Sequence, residues 1–374
     1  MKYCKQCLQS DTRPQIEFDE QGVCPACRYS ATLEFVDWKK RKQELLDVCQ
    51  PFRSKRGEYD SIVGVSGGKD STRQAMYVRD VLNMNPLLVS LTYSPEQQTE
   101  RGAANLANLV EQGFDVIAIG PSPQTWKKLL RRGFLQYGNW ARSTELALFA
   151  SVPRFAVAYQ IQLIFWGENP ALSTTGEISN QGENSGGVTN STLGGNTLGG
   201  GDISWLTDDE TKRNHILQYI YPSREELNTS GLQFVYLGYY WQYWSKTFNG
   251  CFSGSRGLDV RAEHPADIGD NLGLDALDDD WVALNQMLKY LKLGFGKVSD
   301  NVNEMIRQGT LSRAQAIDLV NRYDGKCSDE NIRQFCQYID ISERKFWQVV
   351  DGFVNKDLFH KDSRGQWQPS FTVE

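Results

Sequence analysis

The sequence predicts an α/β protein with a doubly wound, mainly parallel sheet, a cysteine-rich module in front and a helical subdomain behind. Three observations predict it. Apolar strand-like runs alternate with amphipathic helical stretches between residues 61 and 166, and βαβα alternation calls for a parallel sheet. Two C-x-x-C pairs fall within the first 27 residues. From 276 onward nearly every segment reads as helix.

Cys4-x-x-Cys7 and Cys24-Pro25-x-Cys27 flank a polar stretch in which Asp19-Glu20-Gln21-Gly22 makes a turn and brings the second pair back to the first. A two-residue spacer lets both thiolates of a pair reach one ion at about 2.3 Å, and two pairs complete a tetrahedral four-sulfur shell typical of structural zinc. An iron–sulfur cluster is the competing occupant. A closed shell leaves no open coordination position, so the metal is expected to stabilise folding rather than catalyse. This zinc module spans 1–33, and a charged helix over 34–49 lies in a linker, 34–58.

The α/β domain is expected over 59–250. Strand 61–66 runs into Ser66-Gly67-Gly68-Lys69-Asp70-Ser71 and a helix over 71–83. Strand, glycine turn and helix together aim backbone N–H groups at an anionic phosphate. The glycines allow close approach and unusual φ values, and Ser66 and Ser71 add hydroxyl donors. Asp70 would be repelled by phosphate unless a divalent cation, magnesium, lay between them. The spacing is not that of a Walker A loop. Strand 87–93, helix 98–112, strand 115–119, helices 123–135 and 144–160, and strand 162–166 follow. Ligands of such sheets bind at the carboxyl ends of the strands. That edge would carry loop 66–71, Thr92, Gly120 and Gly167-Glu168-Asn169, enough for one ATP. Residues 173–201, rich in Gly, Ser, Thr and Asn, read either as a lid or as a low-complexity insertion. After 234–241 (F-V-Y-L-G-Y-Y-W) the character of the chain changes. Residues 251–374 form the helical subdomain, with helices at 301–308, 312–322, 329–338 and 342–354.

Composition narrows the partners. Of 374 residues, 40% are hydrophobic, ample for a core, and the net charge of −6 argues against a broad nucleic-acid footprint. The apolar stretch 143–168 is interrupted by Glu145, Pro153 and Arg154, so no membrane insertion is expected. The N-terminus has no apolar signal region. A cytoplasmic protein with reduced thiols is expected, and Cys251, Cys327 and Cys336 read as core thiols.

S-G-G-x-D-S resembles the signature of the PP-loop ATP pyrophosphatases, of the HUP fold type, which split ATP between its α- and β-phosphates and activate a carbonyl oxygen as its adenylate. Together with W-G-E-N at 166–169, L-G-Y-Y-W at 237–241, Y-L-K-L-G-F-G-K at 290–297 with Asp300, and Y-D-G at 323–325, the chain resembles the N-acetyl sugar amidotransferases of bacterial surface-polysaccharide pathways. Its layout is especially similar to the pseudomonad O-antigen (B-band lipopolysaccharide) amidotransferases. The resemblance implies conversion of the acetamido group of a nucleotide-linked sugar to an acetamidino group through an adenylated imidate, with release of AMP and pyrophosphate. It implies Ser66, Gly67, Gly68, Lys69, Asp70, Ser71, Thr92, Gly167 and Asn169 as the ATP site, with Asp70 on magnesium. Asp70, Glu168, Lys69 and Lys292 are the catalytic candidates. Lys297 could contact a phosphate or a sugar carboxylate, and Asp300 could cap the helix that follows it.

A glutaminase would need a nucleophilic cysteine in a sharp turn with a histidine partner. Only His215, His264 and His360 exist, and Cys251 lies in an unsuitable N-G-C-F-S-G turn. The resemblance therefore implies ammonia channelled from a separate glutaminase, similar to the subunit of imidazole glycerol phosphate synthase, with a cyclase-like companion. The rival enzyme reading is a PP-loop tRNA thiolation enzyme, which needs a basic surface and a second reactive cysteine pair. A non-catalytic nucleotide sensor or scaffold is the other alternative.

Overall fold

The computed structural model describes residues 1–169, Leu172, 188–189 and 203–374. The expected lid or insertion at 173–201 therefore lies outside the described residues, apart from 188–189. Five strands run parallel: β1 (Ser61–Gly64), β2 (Pro86–Leu91), β3 (Val116–Ile119), β4 (Leu163–Trp166) and β6 (Gln233–Tyr236). The short β5 (Val188–Thr189) pairs antiparallel with β6 at one edge. The order is β3-β2-β1-β4-β6-β5, and Ile62 faces Leu87 on one side and Ile164 on the other. The chain thus runs outward from β1 to β3 and then jumps back to β4. The crevice beyond the carboxyl ends of β1 and β4 is the topological switch point, where such sheets bind ligands.

Alternate residues of the strands feed two apolar layers. Val63, Leu88 and Phe165 pack with Leu45 of α2 (Trp38–Cys49), Ala75 and Val78 after the loop, and Leu109 of α4 (Glu100–Glu111). Ile62, Val89, Ile164 and Phe234 pack with Val152 and Ala156 of α6 (Ala141–Tyr159). Both faces are covered, which is why the strands read as continuous apolar runs.

Some boundaries differ from expectation for clear reasons. The helix after the glycine loop, α3 (Lys69–Met76), starts at Lys69 rather than 71, because extended Gly68 is already its N-cap; it widens into a π turn at Tyr77–Val81. The run 234–241 is strand only to Tyr236 and passes into a helical turn, Leu237–Tyr240. A Cβ on Gly238 would lie 2.7 Å from the backbone nitrogen of Asn169, so the chain there is pressed onto the end of β4 and cannot extend the sheet.

The C-terminal helices are Val282–Leu293, Lys297–Arg307, Arg313–Tyr323, Asp329–Tyr338 and Glu343–Phe353. Ser312, Ser328 and Ser342 cap the last three by accepting from backbone N–H groups. The helix expected from 301 begins at Lys297. The chain ends in a hairpin, Phe359–Lys361 with Trp367–Pro369. The helical reading missed it because three-residue strands are too short to show alternation. The largest core lies between these helices and α5 (Pro123–Tyr137). There Phe134, fully buried, stacks on Phe346 at 5.0 Å and meets Phe335 edge-on at 5.5 Å. Among the described residues no helix is long and apolar enough to cross a membrane.

Phe134→Ala removes the ring that joins α5 to two C-terminal helices. It is expected to cost about 3–5 kcal/mol, read as a lower guanidinium midpoint in equilibrium unfolding.

Candidate phosphate and metal sites

β1 delivers the glycine loop to the switch point. Gly67 has φ +77°, and a Cβ on it would stand 2.8 Å from the backbone nitrogen of Leu106. Both conformation and the close approach of α4 therefore require glycine. Gly68 N–H donates to Ser66 Oγ at 3.3 Å, and Ser71 Oγ donates to Gly68 O at 3.1 Å. These contacts fold the turn tightly over the start of α3, whose first N–H groups point into the crevice.

Lys69 does not extend into solvent. Its side chain is 3% exposed, and its ammonium donates to Asp70 Oδ2 at 2.8 Å and to Asp275. Asp275 collects two further lysines, Lys246 at 3.2 Å and Lys297. Three ammonium groups from three distant segments thus share one carboxylate. Among the described residues Lys69 is ion-paired with Asp70 and Asp275, while Glu304 and Asp300 also act on Lys246 and Asp270 on Lys297. Burial opposes every charge here. For Lys69 and Lys246 the neighbouring carboxylates outweigh it and raise the pKa, whereas burial prevails at Lys297 and lowers it. Burial also disfavours the charge on Asp275, but the three lysines overcome it and hold the carboxyl well below its usual range.

Asp70 accepts from Asn249 Nδ2 at 2.7 Å through its other oxygen, and its side chain remains 37% exposed. One carboxylate with an open side suits magnesium, which takes one or two carboxylates and fills its shell with water and substrate phosphate. Arg73 lies behind it, donating to Tyr243 O at 2.8 Å and packed over the rings of Trp241 and Phe248. The aromatic run after β6 thus forms a wall behind α3.

At the end of β4, Gly167 and Asn169 are buried, and Asn169 Nδ2 donates to Gly238 O at 3.2 Å. Glu168 reaches solvent, yet the protein mass around it raises its pKa, with the charge of Asp70 adding to the effect. Thr92, after β2, lines a cleft of about 610 Å³ with Ser66, Leu91, Leu106, Val110 and Asp278. The cleft begins at the glycine loop and is largely apolar. Its one acid, Asp278, is 6% exposed, and burial together with neighbouring Asp279 pushes its carboxyl up to about 7.

The structure therefore brings together Ser66 to Ser71, Thr92 and Gly167 to Asn169 at one sheet edge, and leaves Lys292 out. Lys292 donates to Tyr137 O at 2.8 Å and Gly138 O at 2.6 Å, satisfying carbonyls at the end of α5. Burial alone lowers its pKa to about 8. Asp300 is not a cap. It lies inside the first turn of helix Lys297–Arg307 and is paired with Arg13 and Lys289. Asp324 supplies the cap instead, accepting from Gly296 N at 2.8 Å and Val298 N at 2.9 Å. The Y-D-G and G-F-G-K motifs meet in that contact, and it sets Lys297 toward Asp275. Sequence reasoning missed Lys246, Asn249 and Asp275. Their only signals were a lysine and an asparagine within the aromatic run and an aspartate in an irregular segment.

The front cysteines converge as expected. All four sulfurs lie within 4.8 Å of one another and are buried, with Cys7–Cys24 at 3.7 Å and Cys4–Cys27 at 4.0 Å. A tetrahedral zinc shell requires sulfur separations of about 3.8 Å. Backbone N–H groups of Gln6, Gln9 and Cys24 point at Cys4 and Cys7 sulfurs, which favours thiolates. The four residues could hold zinc. Cys336 is buried, as read from the sequence, and Cys327 partly so, but Cys251 is exposed, because it lies on the outer side of helix Lys246–Gly254.

Residues 274–372 match the family described as LPS biosynthesis protein WbpG-like, C-terminal domain. The match supports the resemblance to the O-antigen amidotransferases and takes in Asp275, Lys297 and Asp324, while the glycine loop and Lys246 lie before it. No curated protein matches the chain.

Two outcomes are expected. Elemental analysis of the purified chain should find zinc at about one ion per chain, and Cys24→Ser should lose it and lower the melting temperature. Asp278 keeps its proton up to about 7 in the folded chain, against an ordinary 3.8 when unfolded. Between those values only the folded chain retains the proton, so its contribution to stability falls as pH rises. Asp278→Asn should flatten the fall of the urea midpoint across that window; an unaltered slope would show that Asp278 does not cause it.

Proposed function

We propose that this chain, with its WbpG-like C-terminal domain, is an ATP-dependent N-acetyl sugar amidotransferase of lipopolysaccharide biosynthesis, built on a PP-loop fold. The observation that carries the proposal is the convergence of the glycine loop, Asp70, buried Lys69 and half-buried Lys246 and Lys297 at the switch point of the sheet. A loop that only bound nucleotide would not need three ammonium groups gathered beside it. A pyrophosphate leaving group does.

In this reading the apolar cleft between Thr92 and Leu106 takes the adenosine. Loop N–H groups, Ser66 and Ser71 hold the phosphates, and Asp70 would hold magnesium against them. The amide oxygen of the acceptor sugar attacks the α-phosphorus; the bond to the β-phosphate oxygen breaks, and Lys69, Lys246 and Lys297 stabilise the departing pyrophosphate. Ammonia adds to the imidate carbon and gives up a proton, for which Glu168, its pKa raised, is the base at hand. The carbon–oxygen bond to AMP then breaks, leaving the amidine. No protein nucleophile is required; positioning and charge neutralisation supply the rate.

Ammonia is proposed to come from a separate glutaminase. The rings of His215, His264 and His360 engage Lys212 N, Ala266 N and Ser370 Oγ respectively, so each is committed to local structure rather than to a cysteine. The isolated chain should use ammonium salts and not glutamine.

The test is pyrophosphate release from ATP and magnesium with ammonium and a panel of nucleotide-linked N-acetyl sugars, followed by mass spectrometry for replacement of oxygen by NH. Asp70→Asn is expected to slow release by about 100-fold or more without loss of zinc. Release that depends on tRNA instead of a sugar would sink the proposal.

A further inference from the structure

We infer that the recess between the cysteine module and helix Lys297–Arg307 binds an oxyanion of the acceptor; the inference rests on the function proposed above. The recess has a volume of about 130 Å³ and is lined by Arg13 and Cys24 from the module, Lys246, and Asp300, Glu304 and Arg307 from the helix. A cavity of about 150 Å³ admits a benzene-sized ring, so the space suits one sugar ring or its charged substituent rather than a second nucleotide.

Its position links it to the loop. Lys246 lines the recess, and its ammonium lies 3.2 Å from Asp275, the same carboxylate that holds Lys69. A group seated there stands one side chain away from the proposed site of α-phosphate attack.

Its charges are unevenly committed. Arg13 is paired with Asp300, whose other oxygen accepts from Lys289 at 2.5 Å. Glu304 accepts from the backbone nitrogen of Lys246 at 2.6 Å. Arg307 is half-buried and lines the recess, and its side chain has no hydrogen bond or ion pair among the described residues. An uncommitted guanidinium in a partly dry recess is a fork for a carboxylate or phosphate.

The cysteine module then does more than stabilise. Leu8 N donates to Asn303 Oδ1 at 2.7 Å, and Arg313 donates to the carbonyls of Cys4 and Cys7. These contacts hold the module's face, including Arg13, as one wall of the recess.

The two sources of the oxyanion, a sugar carboxylate and the diphosphate of the carrier, are separated by direct binding to the full chain. Calorimetry would compare a UDP-linked N-acetyl hexuronic acid, the matching neutral UDP-N-acetyl hexose, and UDP alone. Arg307→Gln is expected to weaken binding at least about tenfold while ATP binding and zinc content stay as in the parent chain, and Arg307→Lys should recover part of the loss. Loss confined to the acidic sugar assigns the recess to the carboxylate; equal loss for all three assigns it to the diphosphate. Unchanged affinity for all three in Arg307→Gln would overturn the inference. Because the readout is binding, it stands apart from the proposed reaction: a chain that bound these ligands through Arg307 but released no pyrophosphate would reject the reaction and keep the site.

Discussion

Asp275 is the constraint on which the site depends. Its carboxylate receives ammonium groups from the glycine loop, from the start of helix Lys246–Gly254 and from the start of helix Lys297–Arg307. Like charges brought this close out of water would drive the three segments apart. One shared carboxylate lets them converge. In doing so it ties the sheet to the C-terminal helices at the crevice where the sheet's topology leaves room for a ligand.

The elements that hold Lys297 in place extend that constraint. Asp324 anchors the N-terminus of its helix through two backbone N–H groups, and the ring of Tyr290 rests on Gly325 beside it. The other face of the same helix receives the cysteine module, through Leu8 packed against Val298 and Val302. The cysteine cluster at the front of the chain and Lys297 near its end are therefore joined through a single helix. The cluster and the lysine need not touch for one to set the geometry of the other.

Much of this was legible beforehand, and the reasons are local. Strand, glycine turn and helix follow one another without interruption around Ser66-Gly67-Gly68, so propensity and spacing suffice to place the loop. Two C-x-x-C pairs declare a four-sulfur shell because short spacers leave few other geometries. The central strands β1, β2 and β4, buried on both faces, announce themselves as apolar runs. What was not legible is long-range. Lys292 and Lys297 stand five residues apart, and nothing in their spacing distinguishes them. One satisfies the carbonyls ending α5 and the other reaches Asp275, because Gly294 and Gly296 break the helix between them and redirect the chain. Asp300 resembled a cap by its place before an apolar run, but capping fell to Asp324, more than twenty residues away in sequence.

By itself the sequence determined the parallel α/β core, the phosphate-type loop and the cysteine shell, since each rests on interactions among neighbours or on a two-residue spacing. Tertiary structure alone decided which charges meet. The convergence of Lys69, Lys246 and Lys297 on Asp275, the aromatic wall behind Arg73 and the place of Arg307 in the recess beside the cysteine module all join segments far apart in the chain. Their energies arise only once burial has removed the water that would otherwise screen them.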